Sequence, residues 1–140
     1  MKKTTSLYLV CFLLAFFAKA GFSGTSTAEK VRVIKIHPEI VSATTERVCI
    51  QFSRVYHPKL RGLGGDRPRV FVDIEDTSRW NGPPRIDVGG RMILQVRNHL
   101  NPKSGKLRIV LDLEPSKDYV IEQTYYTCSD IFCIFVKSGR

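Results

Sequence analysis

The feature that most constrains this chain is alternation. From residue 31 to residue 137 nearly every apolar segment is short, β-branched and patterned with period two. Val48, Ile50 and Phe52 share one face of Arg47–Ser53, and Val70, Val72 and Ile74 share one face of Arg69–Glu75. Ile109, Leu111 and Leu113 do the same in Arg108–Glu114, and the same rule puts Met92, Leu94 and Val96 inward in Met92–Arg97. Val31–Ile36, Tyr119–Thr127 and Cys133–Lys137 complete seven predicted strands. Such alternation makes one face dry and the other wet. The separators are turn-formers: His57-Pro58, Gly62 to Gly65, Asn81 to Pro84, Gly89-Gly90, Asn101-Pro102 and Pro115-Ser116. No window sustains a helical period over ten residues. The expectation is an all-β chain folded as a β-sandwich of two short sheets, because each strand's single apolar face needs a second layer to cover it.

The N-terminus reads differently. Lys2 and Lys3 precede an unbroken apolar run of 12 residues, Leu7 to Ala18, and Ala18-Lys19-Ala20 supplies a small-x-small cleavage pattern. Residues 1–20 are therefore predicted to be a secretory signal peptide. The run is short of the roughly 20 residues that span a bilayer, so no integral membrane span is expected after its removal. Cys11 lies inside the run and is expected to leave with it. Residues 21–29 read as a flexible lead-in and 30–137 as the domain. Cleavage removes three lysines and lowers the formal charge from +9 to +6. A modestly basic exported chain suits anionic envelope polymers, acidic partners or lipid headgroups and gives no reason to invoke nucleic acid.

The strands contain an internal echo. Arg69-Val-Phe-Val-Asp73-Ile-Glu75 aligns with Arg108-Ile-Val-Leu-Asp112-Leu-Glu114 at an offset of 39, and Arg47 to Phe52 is a weaker copy with Gln51 in the Asp place. Residues four apart on a strand share a face but lie roughly 13 Å apart. The Arg of one copy can thus meet the Asp of another only across a ladder. Such a row serves either to keep the sheet exterior soluble or as a polar recognition face.

In order, Arg67-Pro68-Arg69-Val70-Phe71-Val72-Asp73-Ile74, Ile86-Asp87-Val88, Ile93-Leu94-Gln95-Val96-Arg97 and Leu107 to Leu113 with Tyr119-Val120 behind it make a set. That ordered set resembles the AMIN domain, the β-rich targeting module of periplasmic N-acetylmuramoyl-L-alanine amidases and of type IV pilus secretins, here standing alone. The resemblance implies two sheets with pseudo-symmetric repeats, a periplasmic location, and a non-catalytic role in binding peptidoglycan or localising a wall-associated machine. The alternative it leaves open is a protein–protein interaction module for a secretin or amidase partner, without direct peptidoglycan binding. The segment Cys128 to Cys133 and the basic, glycine-rich stretch Tyr56 to Arg67 depart from the family pattern.

Catalytic chemistry finds little footing. His37, His57 and His99 stand alone, each beside or near a proline, and read as turn residues, with no His-Glu-x-x-His or comparable ligand set for zinc. No metal, cofactor or enzymatic activity is expected. Cys49 alternates onto the outer face with no partner for nucleophilic work. Cys128 and Cys133 flank four residues in a predicted hairpin, which would set them opposite each other and favour a Cys128–Cys133 disulfide worth about 2 kcal/mol. For ligand binding the match to the family is best at Arg69, Arg97 and Arg108. Trp80, the only tryptophan, sits in a predicted loop where it can stack on a sugar or plug the end of a sandwich.

Overall fold

In a computed structural model the described residues are 29–77 and 79–139. The predicted signal peptide, Cys11 and the lead-in up to residue 28 lie outside them. The described residues form nine strands and no helix: β1 (Val33–Ser42), β2 (Thr45–Phe52), β3 (Lys59–Leu63), β4 (Arg69–Ile74), β5 (Arg85–Asp87), β6 (Ile93–Asn101), β7 (Lys106–Leu113), β8 (Tyr119–Tyr126) and β9 (Ile131–Ser138). They pair antiparallel into a four-stranded sheet of order β1-β2-β9-β8 and a five-stranded sheet of order β3-β4-β7-β6-β5. The all-β sandwich expected from alternation is what the chain adopts. Among the described residues no helix is long and apolar enough to cross a membrane.

The inner faces meet in one core. Val48, Ile50, Phe52, Ile134 and Val136 come from the first sheet, and Val70, Val72, Ile74, Val96, Ile109 and Leu111 from the second. Burying each such side chain stabilises the fold by about 1.5–3 kcal/mol relative to exposure. The chain fills β3 to β7 in the second sheet before returning to complete the first, so residues distant in sequence, β2 and β9, become neighbours.

Several sequence readings need correction. Two strands were hidden: β3 runs through the glycine-rich stretch read as a turn, and β5 is only three residues long. His37-Pro38 lies within β1 rather than in a turn. A proline is tolerated there because β1 is an edge strand. His99 belongs to β6 and faces outward opposite Arg108. Leu94 is not inward but 44% exposed, whereas Ile93 is fully buried. The cause is a register shift between Ile93 and Gln95, a β-bulge that changes the phase of the alternation.

The disulfide is Cys49–Cys133, not Cys128–Cys133. Cys49 of β2 lies directly opposite Cys133 of β9, with Cα atoms 4.1 Å apart, the spacing of a pair that exchanges no backbone hydrogen bonds. Cys128 falls in the turn between β8 and β9, where it is exposed and free, while Thr124 stands across from Cys133 on that side. The loop has four residues, as the cysteine spacing suggests, but it is Thr127 to Asp130, two residues earlier in the chain, because Tyr126 already pairs with Ile131.

The two sheets are also joined by a polar contact. Glu46 points inward from β2 and is only 1% exposed. Its carboxylate accepts the backbone N–H groups of Arg91 at 2.6 Å, Met92 at 3.2 Å and Ile93 at 2.7 Å, where the chain enters β6. A side chain on Gly90 would place its Cβ 2.2 Å from Glu46 Oε2, so the glycine is what lets the backbone come this close. Tyr119, at the start of β8, donates its hydroxyl to the Glu114 carbonyl at 2.5 Å and fixes the return to the first sheet. Burial raises the Tyr119 pKa, so the phenol keeps the proton it donates.

Candidate functional site

The outer face of the five-stranded sheet follows from register and parity. Because β4 and β7 are adjacent and antiparallel, the two Arg–Asp repeats face each other head to tail: Arg69 lies opposite Asp112, and Asp73 opposite Arg108. The cross-ladder pairing that the echo suggested is therefore present in this sheet. The weaker copy, Arg47 to Phe52, lies in the other sheet, where Arg47 pairs with Glu39 at 2.6 Å. Reading across the strands gives three outward rows. One is Lys59, Asp73, Arg108, His99; the next is Arg61, Phe71, Val110, Arg97, Arg85; the third is Leu63, Arg69, Asp112, Gln95, Asp87.

Two of the three predicted arginines are clamped. Arg97 donates to Asp112 through Nε at 2.5 Å and Nη2 at 2.7 Å, and Gln95 Nε2 adds a third bond at 2.6 Å. Arg108 donates to Asp73 through Nε at 2.7 Å and Nη2 at 2.8 Å, with its guanidinium 4.7 Å from the centre of the Phe71 ring. Such planar, two-bond pairs fix the orientation of the fork. The Arg108 hydrogen bond holds the Asp73 carboxyl below its ordinary value against the opposing effect of burial, and the charges of Arg108, Lys106 and Arg61 reinforce it. Asp112 is lowered by its hydrogen bond from Arg97, again against burial, with Gln95 and Arg69 assisting.

Arg69 is different. It lies across from Asp112, but the Asp112 oxygens are taken by Arg97 and Gln95, and no carboxylate of the described residues forms an ion pair with Arg69 or Arg61. The three predicted arginines therefore come together around one shallow depression of about 240 Å³ floored by Phe71 and Val110, with Leu63 at its rim. A longer groove of about 500 Å³ shares Arg69 and Arg97 and runs past Arg67 and Pro68. The face combines walls of fixed Arg–Asp pairs, a small apolar floor and, at the depression, the unengaged guanidinium of Arg69. That arrangement can hold a carboxylate or phosphate beside a compact apolar group.

Trp80 does not join it. Its indole Nε1 donates to the Pro83 carbonyl at 3.3 Å, and its ring lies so close over Gly82 that a Cβ there would sit 2.0 Å away. The half-buried ring packs against the core from the β4–β5 loop, the plugging role. Sequence reasoning missed Phe71 and Val110 as site residues. The signal was the middle position of each Arg-x-x-x-Asp repeat, an apolar residue on the wet face. Among the described residues no three His, Cys, Asp or Glu side chains cluster in a way that could hold a metal ion. No protein-family model matches this chain, and no curated protein matches it in sequence.

Proposed function

We propose that this chain is an exported, non-catalytic cell-envelope module of the AMIN type that docks on peptidoglycan through the outer face of β3 to β7. The observation that carries the reading is the convergence of Arg69, Arg97 and Arg108 on one depression in which Arg69 is unengaged. Peptidoglycan stem peptides present carboxylates next to small apolar side chains. A free guanidinium beside Phe71 and Val110 offers the matching chemistry. Arg97 and Arg108, held and neutralised by their aspartates, shape the walls rather than supply the primary bond. The Cys49–Cys133 bridge suits an oxidising compartment such as the periplasm.

Co-sedimentation with purified sacculi tests this. The exported form should pellet with the sacculi, and binding should weaken as salt rises. Arg69→Ala should lower affinity about tenfold, the loss of one charge-assisted hydrogen-bonding group. Failure of the unmodified chain to pellet, together with capture of a single envelope protein such as a secretin or amidase, would replace wall binding with protein docking. A cleared zone on a peptidoglycan gel would overturn the non-catalytic assignment.

A further inference from the structure

Each sheet has two edges, and three of the four carry features that discourage pairing with another strand. β1 contains Pro38 and two register irregularities. β3 has five residues, including Lys59, Arg61 and Gly62, and β5 has three, beginning with Arg85. Short edges, prolines, bulges and basic side chains are the usual protections. β8 has only one charged side chain, Glu122, which Lys137 of β9 pairs with at 2.6 Å: Tyr119-Val-Ile-Glu-Gln-Thr-Tyr-Tyr126 is eight residues in unbroken register with β9, without proline, glycine, lysine or arginine.

The direction of its backbone groups follows from its neighbours. Phe52 N–H donates to the Asp130 carbonyl and Ser138 N–H to the Thr44 carbonyl, so even-numbered residues along β9 turn their polar groups toward β2. Odd-numbered residues of β9 therefore turn toward β8, where they meet Val120, Glu122, Thr124 and Tyr126. The N–H and C=O groups of Ile121, Gln123 and Tyr125 are left pointing outward, with no backbone partner among the described residues.

We infer that β8 pairs antiparallel with β8 of a second copy of this chain, centred on Gln123 opposite Gln123 of that copy. The register is chosen by the edge itself. Centring on Gln123 matches Ile121 with Tyr125 of the other copy, so every outward N–H and C=O finds a partner in about six hydrogen bonds. Opposed residues must share a face, and here they do: Val120 meets Tyr126, and Glu122 meets Thr124. Val120 and Tyr126 are 49% and 43% exposed in the single copy, and this pairing covers both. A register centred on Glu122 instead sets two carboxylates face to face, which cross-strand pairing penalises. The result is a continuous eight-stranded sheet with a two-fold axis through its middle, formed independently of the peptidoglycan reading.

The test is sedimentation velocity on the disulfide-bonded exported form carrying Cys128→Ser, which removes association through the free thiol. The expected result is a reversible monomer–dimer equilibrium over a dilution series. Thr124→Glu puts a second carboxylate against Glu122 twice per dimer and should weaken association at least tenfold, while Thr124→Lys should tighten it; matching circular dichroism spectra establish that both variants are folded. Gln123→Pro leaves the bonds to β9 intact and should give monomer only. A chain that stays monomeric at its solubility limit overturns the inference, as does a dimer indifferent to the charge at position 124.

Discussion

Reduction of the Cys49–Cys133 bridge offers the sharpest check on the fold. The two cysteines are 84 residues apart in sequence. Cross-linking across a loop of that length lowers the entropy of the unfolded chain enough to stabilise the native state by about 4.5 kcal/mol at 25 °C, against about 2 kcal/mol for a bridge closing only the β8–β9 turn. Native domains are stable by about 5–15 kcal/mol, so the larger figure is a major share of the total. Urea titration of oxidised and reduced protein measures the difference directly. With a slope of about 2 kcal/mol per molar, the midpoint should fall by about 2 M on reduction. The Cys128→Ser variant should unfold with an unchanged midpoint and the same sensitivity to reductant, because Cys128 is exposed and unbonded. A fall near 1 M that disappears in Cys128→Ser would show that the short loop is the one closed, and would refute both the pairing and the β2–β9 register.

Glu46→Ala should destabilise the domain by about 3–5 kcal/mol by urea titration, since it strands the amides of Arg91, Met92 and Ile93 in a buried setting. The acid limb of the stability curve should report the outer-face ion pairs. Asp73 and Asp112 have folded pKa values below the ordinary 3.8, so their contribution is complete above that pH and drains away as the pH falls through the lower folded values. Thermal melts between about pH 5 and pH 2 should therefore show a shallower acid loss in Arg108→Ala than in the unmodified chain, with a cost at neutral pH of about 1 kcal/mol because Arg108 is half exposed.

Alternation alone exposed the sandwich because β2, β4 and β7 each bury every second residue without interruption. It failed where a local feature breaks the phase. The bulge in β6 turned Leu94 outward, and nothing in Met-Ile-Leu-Gln-Val distinguishes the two phases before the strand is paired. β3 escaped because an edge strand with one wet face needs few apolar residues, only Leu60 packing inward. The repeat was enough to predict that Arg and Asp meet across a ladder, and β4 beside β7 realises it. The cysteine pairing was beyond reach for a different reason. Spacing within a hairpin is a local cue, whereas the juxtaposition of β2 with β9 depends on the order in which nine strands fill two sheets. Glu46 was equally hidden, since its burial is made possible by a loop 45 residues away in sequence.

The sulfur bridge also decides how the molecule bears tension. Everything from β3 to β8 lies between Cys49 and Cys133 along the chain. A pull applied at the two ends runs through the covalent shortcut and bypasses that intervening stretch. The arginine-bearing sheet, β3 to β7, thereby stays outside the load path while the flanking segments are drawn taut.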